Sequence, residues 1–344
     1  MGCVAVIGVG YWGPNLARNF MSFGAFDRVI ACDMDAKRLS TVCRQLPGLQ
    51  ASTSLADTLA RPDVEAVVVA TPVRTHYTLA KTSLLAGKHV LIEKPMTCTA
   101  AEARELVELA AQRSLTLMVD HTFLYTGAVE KIVEITSGDD FGAFYYLDSV
   151  RVNLGLFQHD VNVIWDLAPH DLSVAGQVLK RKPKVVRAIG QSHTESAAVD
   201  VAYLHVDYGD NVTATFHVNW LSPTKIRRMV IAGSRRMVVW DDLEASEKVR
   251  VYDRGIEAKS MGPEAQHRLQ VDYRTGDVWM PRVEPAEALQ KMARHFVDCY
   301  RNGKRPLTAG EDGLEVVLAL EASDLSLHND GRPVAIEDGR ICLA

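Results

Sequence analysis

Asp166 and His170 stand four residues apart and could act on one molecule. On a helix this spacing puts both side chains on one face, where they can reach a single ligand. A histidine titrates near neutral pH and can remove the hydroxyl proton when an alcohol loses hydride from its carbon. Lys94, just after the apolar run His89 to Ile92, could stabilise the resulting alkoxide or accept the proton itself. The residues alone leave that choice open.

Pro169 complicates this pair, because proline lacks the amide hydrogen that a helix interior uses. Proline suits the first position of a helix, and a helix beginning there would leave Asp166 outside it. In the alternative interpretation these residues have structural roles only. His170 is then a buried core residue or a helix cap, and Lys94 forms a solvated surface pair with Glu93. The types and spacing of Lys94, Asp166 and His170 are therefore compatible with a catalytic group, and from these residues alone the structural alternatives stay open.

The tract GVGYWG, residues 8–13, has the spacing G-x-G-x-x-G directly after an apolar run and before a helical pattern. Gly8 allows a tight turn, Gly10 lets the backbone approach a pyrophosphate, and Gly13 lets the helix pack closely on the strand. The amino-terminal end of that helix then faces the phosphate charge. This context predicts dinucleotide binding. The predicted contacts of the loop are Gly8, Gly10, Tyr11, Trp12 and Gly13.

Asp33 lies twenty residues beyond the last glycine of this loop, at the end of the second apolar run. A carboxylate there accepts hydrogen bonds from the ribose hydroxyls and repels a 2′-phosphate. We therefore expect NAD to be favoured over NADP. Lys37 and Arg38 follow closely and weaken the exclusion of NADP.

The elements that must hold these residues follow two patterns. Up to about residue 120, short apolar runs alternate with helical segments, as in a parallel sheet covered by helices. The predicted strands are Val4 to Gly8, Val29 to Cys32, Ala66 to Ala70, His89 to Ile92 and Thr116 to Val119. Thr99, followed three residues later by Glu102, predicts the start of a helix over 100–112.

From Phe144 onward most runs alternate like half-buried antiparallel strands. The predicted strands are Tyr145 to Val152, Val185 to Gln191, Val201 to Tyr208, Val212 to Trp220, Met229 to Ala232 and Met237 to Trp240. Tyr208-Gly209-Asp210-Asn211 predicts a hairpin turn. Helical patterns follow at Pro285 to Arg301 and Glu311 to His328. We predict a Rossmann domain over residues 1–121 and an α+β domain with a large, open, mainly antiparallel sheet for substrate binding and oligomerisation over 122–344.

Composition narrows the class of protein. The chain has 344 residues, which suits two domains, and its 47% hydrophobic content is that of a globular protein. A net charge of -5 with scattered basic residues disfavours nucleic acid as a partner. The six cysteines form no C-x-x-C pair, the histidines are dispersed, and no apolar run is long enough to span a membrane. We expect free thiols, no metal, no membrane association and a cytoplasmic protein without a signal peptide.

Several tracts together resemble the glucose-fructose oxidoreductase, inositol dehydrogenase and rhizopine catabolism (Gfo/Idh/MocA) family. They include the glycine loop, ATPVRTHYTLAKTSLLAGKHVLIEKP (70–95), DHTFLYTGAVEKI (120–132), NVIWDLAPHDLS (162–173) and GEDGLEVVLALEAS (310–323). Each tract alone is weak, whereas the set spans nearly the whole chain. The resemblance implies an NAD(P)-dependent oxidoreductase with a Rossmann domain followed by a large open sheet, whose face often forms a dimer or tetramer interface.

The resemblance also implies roles for single residues. Lys94 of the E-K-P motif would lie at the reaction centre, with Asp166 and His170 as partners from a D-x-x-x-H motif. The cofactor groove would also include Thr71, Pro72, His76, Glu93 and Lys94. The predicted substrate contacts are Lys94, Arg151, Asn153, Asn162, Asp166 and His170.

Tract 149–173 is similar to the branch that oxidises UDP-N-acetylglucosamine-type sugars at C3. We therefore expect an NAD-dependent dehydrogenase or ketoreductase for a sugar, with a nucleotide-linked sugar favoured. An inositol or polyol dehydrogenase would use the same side chains. The remaining alternatives are a hydrolase or epimerase that reduces NAD transiently, and a non-enzymatic NAD-binding regulator, which would not need Lys94 and His170.

Overall fold

The computed structural model describes residues 2–155, 161–194, 198–258 and 271–344. Within these residues the chain forms two compact units. The first unit is Met1–Tyr125 with Ala286–Glu321, and the second is Thr126–Pro285 with Ala322–Ala344. The boundary expected between residues 121 and 122 lies next to the first junction, and residues 286–321 return to the first unit.

Strands and helices alternate in the first 125 residues. The strands are β1 (Cys3–Ile7), β2 (Arg28–Cys32), β3 (Gln50–Ser52), β4 (Val64–Val69), β5 (His89–Glu93) and β6 (Leu117–Asp120). The helices are α1 (Gly13–Ser22), α2 (Ala36–Gln45), α3 (Leu55–Ala60), α4 (His76–Leu85) and α5 (Ala100–Gln112). In the described residues the six strands form one parallel sheet in the order β3-β2-β1-β4-β5-β6.

Apart from β3, the strands of this sheet form where the apolar runs predicted them, and their residues are buried almost throughout, as expected for a parallel sheet covered by helices. Every residue of β1 is buried. The predicted capping box is confirmed, since the Thr99 side chain accepts from the amide of Glu102, whose carboxylate accepts from the Thr99 amide. Strand β3 was missed, because its three residues are polar or small and largely exposed.

The remaining elements follow from residue 126 onward. They are α6 (Gly127–Thr136), β7 (Phe144–Leu154), α7 (Val163–Leu179), β8 (Val185–Gln191), β9 (Val201–Asp207), β10 (Thr213–Asn219), β11 (Leu221–Gly233), β12 (Met237–Asp241), β13 (Val249–Tyr252), β14 (Gly255–Ala258), β15 (Val271–Arg274), β16 (Val278–Trp279), α8 (Ala288–Asn302), α9 (Gly310–Leu327), β17 (Val334–Glu337) and β18 (Arg340–Leu343).

The described part of the second unit contains a ten-stranded sheet in the order β16-β13-β12-β11-β7-β10-β9-β8-β17-β18. Its neighbours are antiparallel except β7 and β10, which run parallel. The predicted hairpin joins β9 to β10, where Gly209, Asp210 and Asn211 all adopt the positive φ that the turn requires. The fold class predicted from the sequence, a Rossmann sheet followed by a mainly antiparallel sheet, is confirmed.

Helix α8 returns to the first unit because its apolar face packs on α1. The rings of Phe20 and Phe296 lie 6.4 Å apart, edge to face. The guanidinium of Arg18 pairs with the Glu287 carboxylate at 2.5 Å just before α8 begins. Beyond α8, Thr308 donates its hydroxyl to the carbonyl of Val119 in β6 at 2.7 Å. These contacts join residues distant in sequence, so local patterns could not reveal them.

The weakly patterned tract Lys259 to Met280 includes β15 and β16. Residues 259–270 of this tract lie outside the described residues. In the part of the chain that the structure describes, no helix is long and apolar enough to cross a membrane.

Candidate active site

The functional residues of the first unit lie where its strands end. In a parallel sheet all carboxyl ends meet at one edge, and ligands bind there at the point where the strand order reverses. That point lies between β1 and β4, the two strands from which the sheet grows outward in opposite directions. The glycine loop follows β1 and Thr71 follows β4, so both belong to this edge.

The glycine loop meets the geometric demands of a phosphate-binding turn. Gly8 has φ +89°, and a Cβ there would lie 2.7 Å from the Ala70 carbonyl oxygen. A Cβ on Gly13 would lie 2.0 Å from the Gly8 oxygen, so neither position tolerates a side chain. A Cβ on Gly10 would meet nothing within 4 Å, which leaves its backbone approachable. Tyr11 and Trp12 are exposed aromatic residues of the same loop.

Asp33 is fixed beside this loop. Its Oδ2 accepts the Val9 amide hydrogen at 2.9 Å, and its Oδ1 accepts the Asp35 amide hydrogen at 2.9 Å. The Arg38 guanidinium lies 3.6 Å from the same carboxylate. The loop and this carboxylate therefore fit the pyrophosphate and ribose of NAD, and Arg38 is the neighbouring cation that could favour a 2′-phosphate.

His76 ties together two loops at the same edge. Its Nε2 lies 2.8 Å from the carbonyl oxygen of Thr71, and its Nδ1 lies 2.9 Å from that of Pro95. The residue is almost fully buried. His76 thereby connects the Thr71-Pro72 turn to the segment that carries Lys94. These contacts give His76 a structural role, and its groove-lining role stays a prediction.

Lys94 follows β5, and Glu93, the last residue of that strand, is buried. Glu93 pairs in the sheet with Asp120, the last residue of β6, and His121 follows Asp120 in the chain. Asp120 and His121 are both buried polar residues that the sequence analysis did not select. The available signal was positional, since Asp120 follows a predicted strand just as Glu93 does.

In the second unit, helix α7 runs continuously through Pro169. Asn162 is its N-cap, and the side-chain oxygen accepts from the amides of Ile164 and Trp165 at 3.0 and 3.2 Å. Asp166 therefore lies in the first turn, and His170 follows one turn later. The helix that the D-x-x-x-H spacing requires exists despite the proline.

Two tryptophans position this end of α7. Trp220, which is buried, donates its indole N–H to Asp166 Oδ2 at 2.9 Å. Trp165 donates its indole N–H to Asp324 Oδ2 at 2.6 Å, and the Asn162 amide donates to Asp324 Oδ1 at 2.9 Å. Burial raises the pKa of Asp324, and these two bonds oppose the rise. The Trp220 contact, which the sequence analysis missed, orients one oxygen of Asp166.

Arg151, a predicted substrate contact, is buried on β7 and makes two hydrogen bonds to Asp171 at 2.9 and 2.7 Å. Removing one partner of such a buried pair costs about 3–5 kcal/mol, so it holds β7 against α7. Asn162 uses its amide for capping and for Asp324, as described above. Asn153 is a half-buried residue of β7.

The described residues contain no group of three His, Cys, Asp or Glu side chains that could hold a metal ion. The chemistry described above involves a dinucleotide loop, a lysine beside buried carboxyl groups in the first unit, and an aspartate-histidine pair in the second.

This combination defines the class of NAD-binding oxidoreductases. Residues 3–121 match the model of the oxidoreductase family with an NAD-binding Rossmann fold, and residues 148–239 match the model of the GFO/IDH/MocA C-terminal domain. The chain belongs to the Gfo/Idh/MocA family of oxidoreductases, as its sequence tracts indicated.

Individual relatives agree with this assignment. The chain is 30% identical to UDP-N-acetylglucosamine 3-dehydrogenase of Acidithiobacillus ferrooxidans over 92% of this chain and 96% of that enzyme. The solved structure of that enzyme matches with a TM-score of 0.79 at 26% identity, covering 95% of this chain and 97% of the other. The chain is 25% identical to scyllo-inositol 2-dehydrogenase (NADP(+)) IolW of Bacillus subtilis over 87% of each. The structure of GenD2 from gentamicin A biosynthesis, in complex with NAD, shares the fold at TM-score 0.82 and 22% identity, covering 98% and 96%.

We predict that this chain binds NAD(H) more tightly than NADP(H), because the Asp33 carboxylate would face the 2′-phosphate. Like charges about 4 Å apart repel by about 4 kcal/mol near a protein surface. Asp33→Ser should therefore strengthen NADPH binding by about tenfold or more, and Arg38→Ala should not. Fluorescence titration of both cofactors measures this. Tighter NADPH than NADH binding by the unaltered protein would show that Arg38 outweighs the carboxylate.

Proposed function

We propose that the chain is an NAD-dependent dehydrogenase of a nucleotide-linked sugar, acting at the C3 hydroxyl. Its similarity to UDP-N-acetylglucosamine 3-dehydrogenase extends over 96% of that enzyme and supports this substrate class. Bound NAD supplies the hydride acceptor. The chain must bind the sugar, take up the hydroxyl proton and stabilise the alkoxide.

The observation that carries the proposal is the placement of Asp166 and His170 on one continuous helix. One turn apart, they present a carboxylate and an imidazole on one face. The bond from Trp220 fixes one oxygen of Asp166, so this carboxylate can orient its neighbour or a sugar hydroxyl. His170 is then the residue that takes up the hydroxyl proton.

Lys94 contributes the positive charge in this proposal. It follows β5 at the edge where the cofactor loop lies, next to the strands at the reversal point. An ammonium group at such an edge stabilises an alkoxide that forms during oxidation. We propose that the cofactor groove beside Lys94 is lined by Thr71, Pro72, His76 and Glu93.

A second candidate substrate class is inositol or another polyol. The similarity to scyllo-inositol 2-dehydrogenase over 87% of each chain favours it. A polyol lacks the nucleotide and would need only the groups around the reacting carbon.

A substrate screen distinguishes the two classes. We expect NADH to form with UDP-N-acetylglucosamine or a related UDP-sugar, and the same sugar without its nucleotide to react far more slowly. The panel should include scyllo-inositol and myo-inositol. Turnover of an inositol alone would replace the first proposal with the second.

We predict that Lys94→Met and His170→Ala each slow the chemical step by at least about a hundredfold, the scale of losing an acid-base or alkoxide-stabilising group. NAD affinity should change little, because the glycine loop and Asp33 bind the other end of the cofactor. Lys131→Met, a surface change on α6, is the control. Single-turnover kinetics with the substrate from the screen measure the step.

The pH dependence separates the two roles. If His170 is the base, oxidation rises with pH as the imidazole loses its proton, and His170→Ala abolishes that rise. A rise that survives in His170→Ala and disappears in Lys94→Met would make the lysine the proton acceptor. If neither change slows turnover, the proposed catalytic group is structural.

We further propose that the chain forms a homodimer or homotetramer through the open face of the ten-stranded sheet. Ile189, Tyr203, His217 and Val150 lie side by side on that face across β8, β9, β10 and β7. The Ile189 and Tyr203 side chains are about half exposed, and the Tyr203 ring stacks on His217 at 4.3 Å. Exposed apolar rows of this kind commonly meet a partner.

We predict a dimer or tetramer mass by light scattering and a monomer for the double change Ile189→Asp and Tyr203→Asp, which charges the face. Glu108→Lys, an exposed charge change on helix α5 of the first unit, is the control and should keep the mass of the unaltered protein. A monomeric unaltered protein at micromolar concentration would disprove the proposed interface.

A further inference from the structure

Ionisable side chains cluster where β5 and β6 end. Glu93 and Asp120 occupy paired positions of these neighbouring strands, and Lys94 and His121 follow them. Paired residues of parallel strands extend their side chains to the same face, and the two carboxyl groups lie within hydrogen-bond reach of each other. Glu93 is 9% exposed, Asp120 is 1% exposed and His121 is 2% exposed, so water does not screen them.

The hydrogen bonds that the described residues make around these two carboxyl groups leave one buried carboxylate oxygen without a donor. Thr122 donates its hydroxyl to Asp120 Oδ1, and the Lys94 amide donates to Glu93 Oε2 at 3.2 Å. Asp120 Oδ2 is buried, and no N–H or O–H group among the described residues donates to it. Two ionised carboxylates this close would repel each other, whereas a proton on Glu93 would supply the missing donor.

The surroundings decide which carboxyl group keeps that proton. Burial and the neighbouring Asp120 raise the pKa of Glu93 well above its ordinary value. Burial also raises the pKa of Asp120, but the bonds from Thr122 and Glu93 and the charge of Lys94 oppose the rise. Glu93 is therefore the acid and Asp120 the anion.

The other titratable groups facing the pair are neutral. Burial, together with the charge of Lys94, lowers the pKa of His121 to about 3. Burial raises the pKa of Tyr125, which faces Asp120 from the following turn. Lys94 and Asp120 are thus the charged side chains of the cluster.

We propose that Glu93 and Asp120 share one proton and present a single negative charge to Lys94, which makes Asp120 a positioning residue for the lysine ammonium. The shared proton follows from the first unit alone. Its catalytic consequence rests on the proposed role of Lys94: an ammonium held by a permanent counter-charge stabilises the alkoxide and leaves proton uptake to His170.

Infrared spectroscopy of the full-length protein tests the shared proton without any substrate. At neutral pH the wild type should show the C=O stretch of a protonated, buried carboxylic acid that Glu93→Gln lacks. Glu108→Gln, an exposed change on α5, should keep it. If wild type and Glu93→Gln have the same acid bands at neutral pH, Glu93 is ionised and the proposal is wrong.

Thermal unfolding against pH tests the same point by its sign. A raised pKa in the folded state stabilises the wild type fully below the unfolded pKa of Glu93, about 4.3, and this stabilisation is lost as pH rises through the folded value. Glutamine has no such dependence. The melting temperature of Glu93→Gln relative to wild type should therefore rise between about pH 4 and pH 8. A relative fall would mean that Glu93 is ionised and would overturn the proposal.

The positioning role is tested on Lys94 itself. In protein labelled with ¹³C at lysine Cε, the Lys94 signal is identified by its loss in Lys94→Met. In Asp120→Asn this signal should change its chemical shift, because the counter-charge beside the ammonium is gone, and in Asp120→Glu, which keeps that charge, it should stay close to its wild-type position. Glu108→Gln should leave the signal unchanged. An unshifted signal in Asp120→Asn would overturn the positioning role. These readouts need no turnover, so a failed substrate screen would count against the proposed function and leave them standing.

Discussion

The parallel alignment of β1, β4, β5 and β6 is the constraint on which the first unit depends. Because these strands run the same way, the loops that follow them all emerge at one edge of the sheet. The glycine loop, the Thr71 turn, Lys94 and Asp120 are up to 112 residues apart in sequence and still share that edge. Within the first unit, a residue that follows one of these strands therefore lies at the edge where the cofactor loop is.

Buried charge imposes a second constraint, since an ionised group inside a protein needs a partner. In the second unit Arg151 meets this need through Asp171, which commits the arginine to holding β7 and α7 together. In the first unit two carboxyl groups lie together at the end of β5 and β6, and the shared proton proposed above removes one of the two charges. The same rule thus gives an ion pair in one unit and an acid-carboxylate pair in the other.

Local sequence determined much of this protein. The glycine spacing and Asp33 predicted the dinucleotide loop. The apolar runs predicted the described strands of the first sheet except β3, and strands β7 to β12 of the second sheet. They did not predict the shorter edge strands β13, β16, β17 and β18. These features can be predicted from the sequence because each depends on residues within a few positions of one another. Examples are a tight turn, the alternation of a strand and a helix cap. The four-residue spacing of Asp166 and His170 belongs to the same kind of signal, as does Lys94 after its apolar run.

Tertiary structure decided which of these residues have partners. The sequence could not tell whether Pro169 begins a helix or lies within one, and the fold places it inside α7, which the Asn162 cap begins. It also could not show that Trp220 bonds Asp166, or that Asp120 stands beside Glu93. Those contacts depend on strand register and on packing between segments 27 to 54 residues apart. Hydrophobic burial over the whole chain sets such register and packing, so no local pattern of residues encodes them.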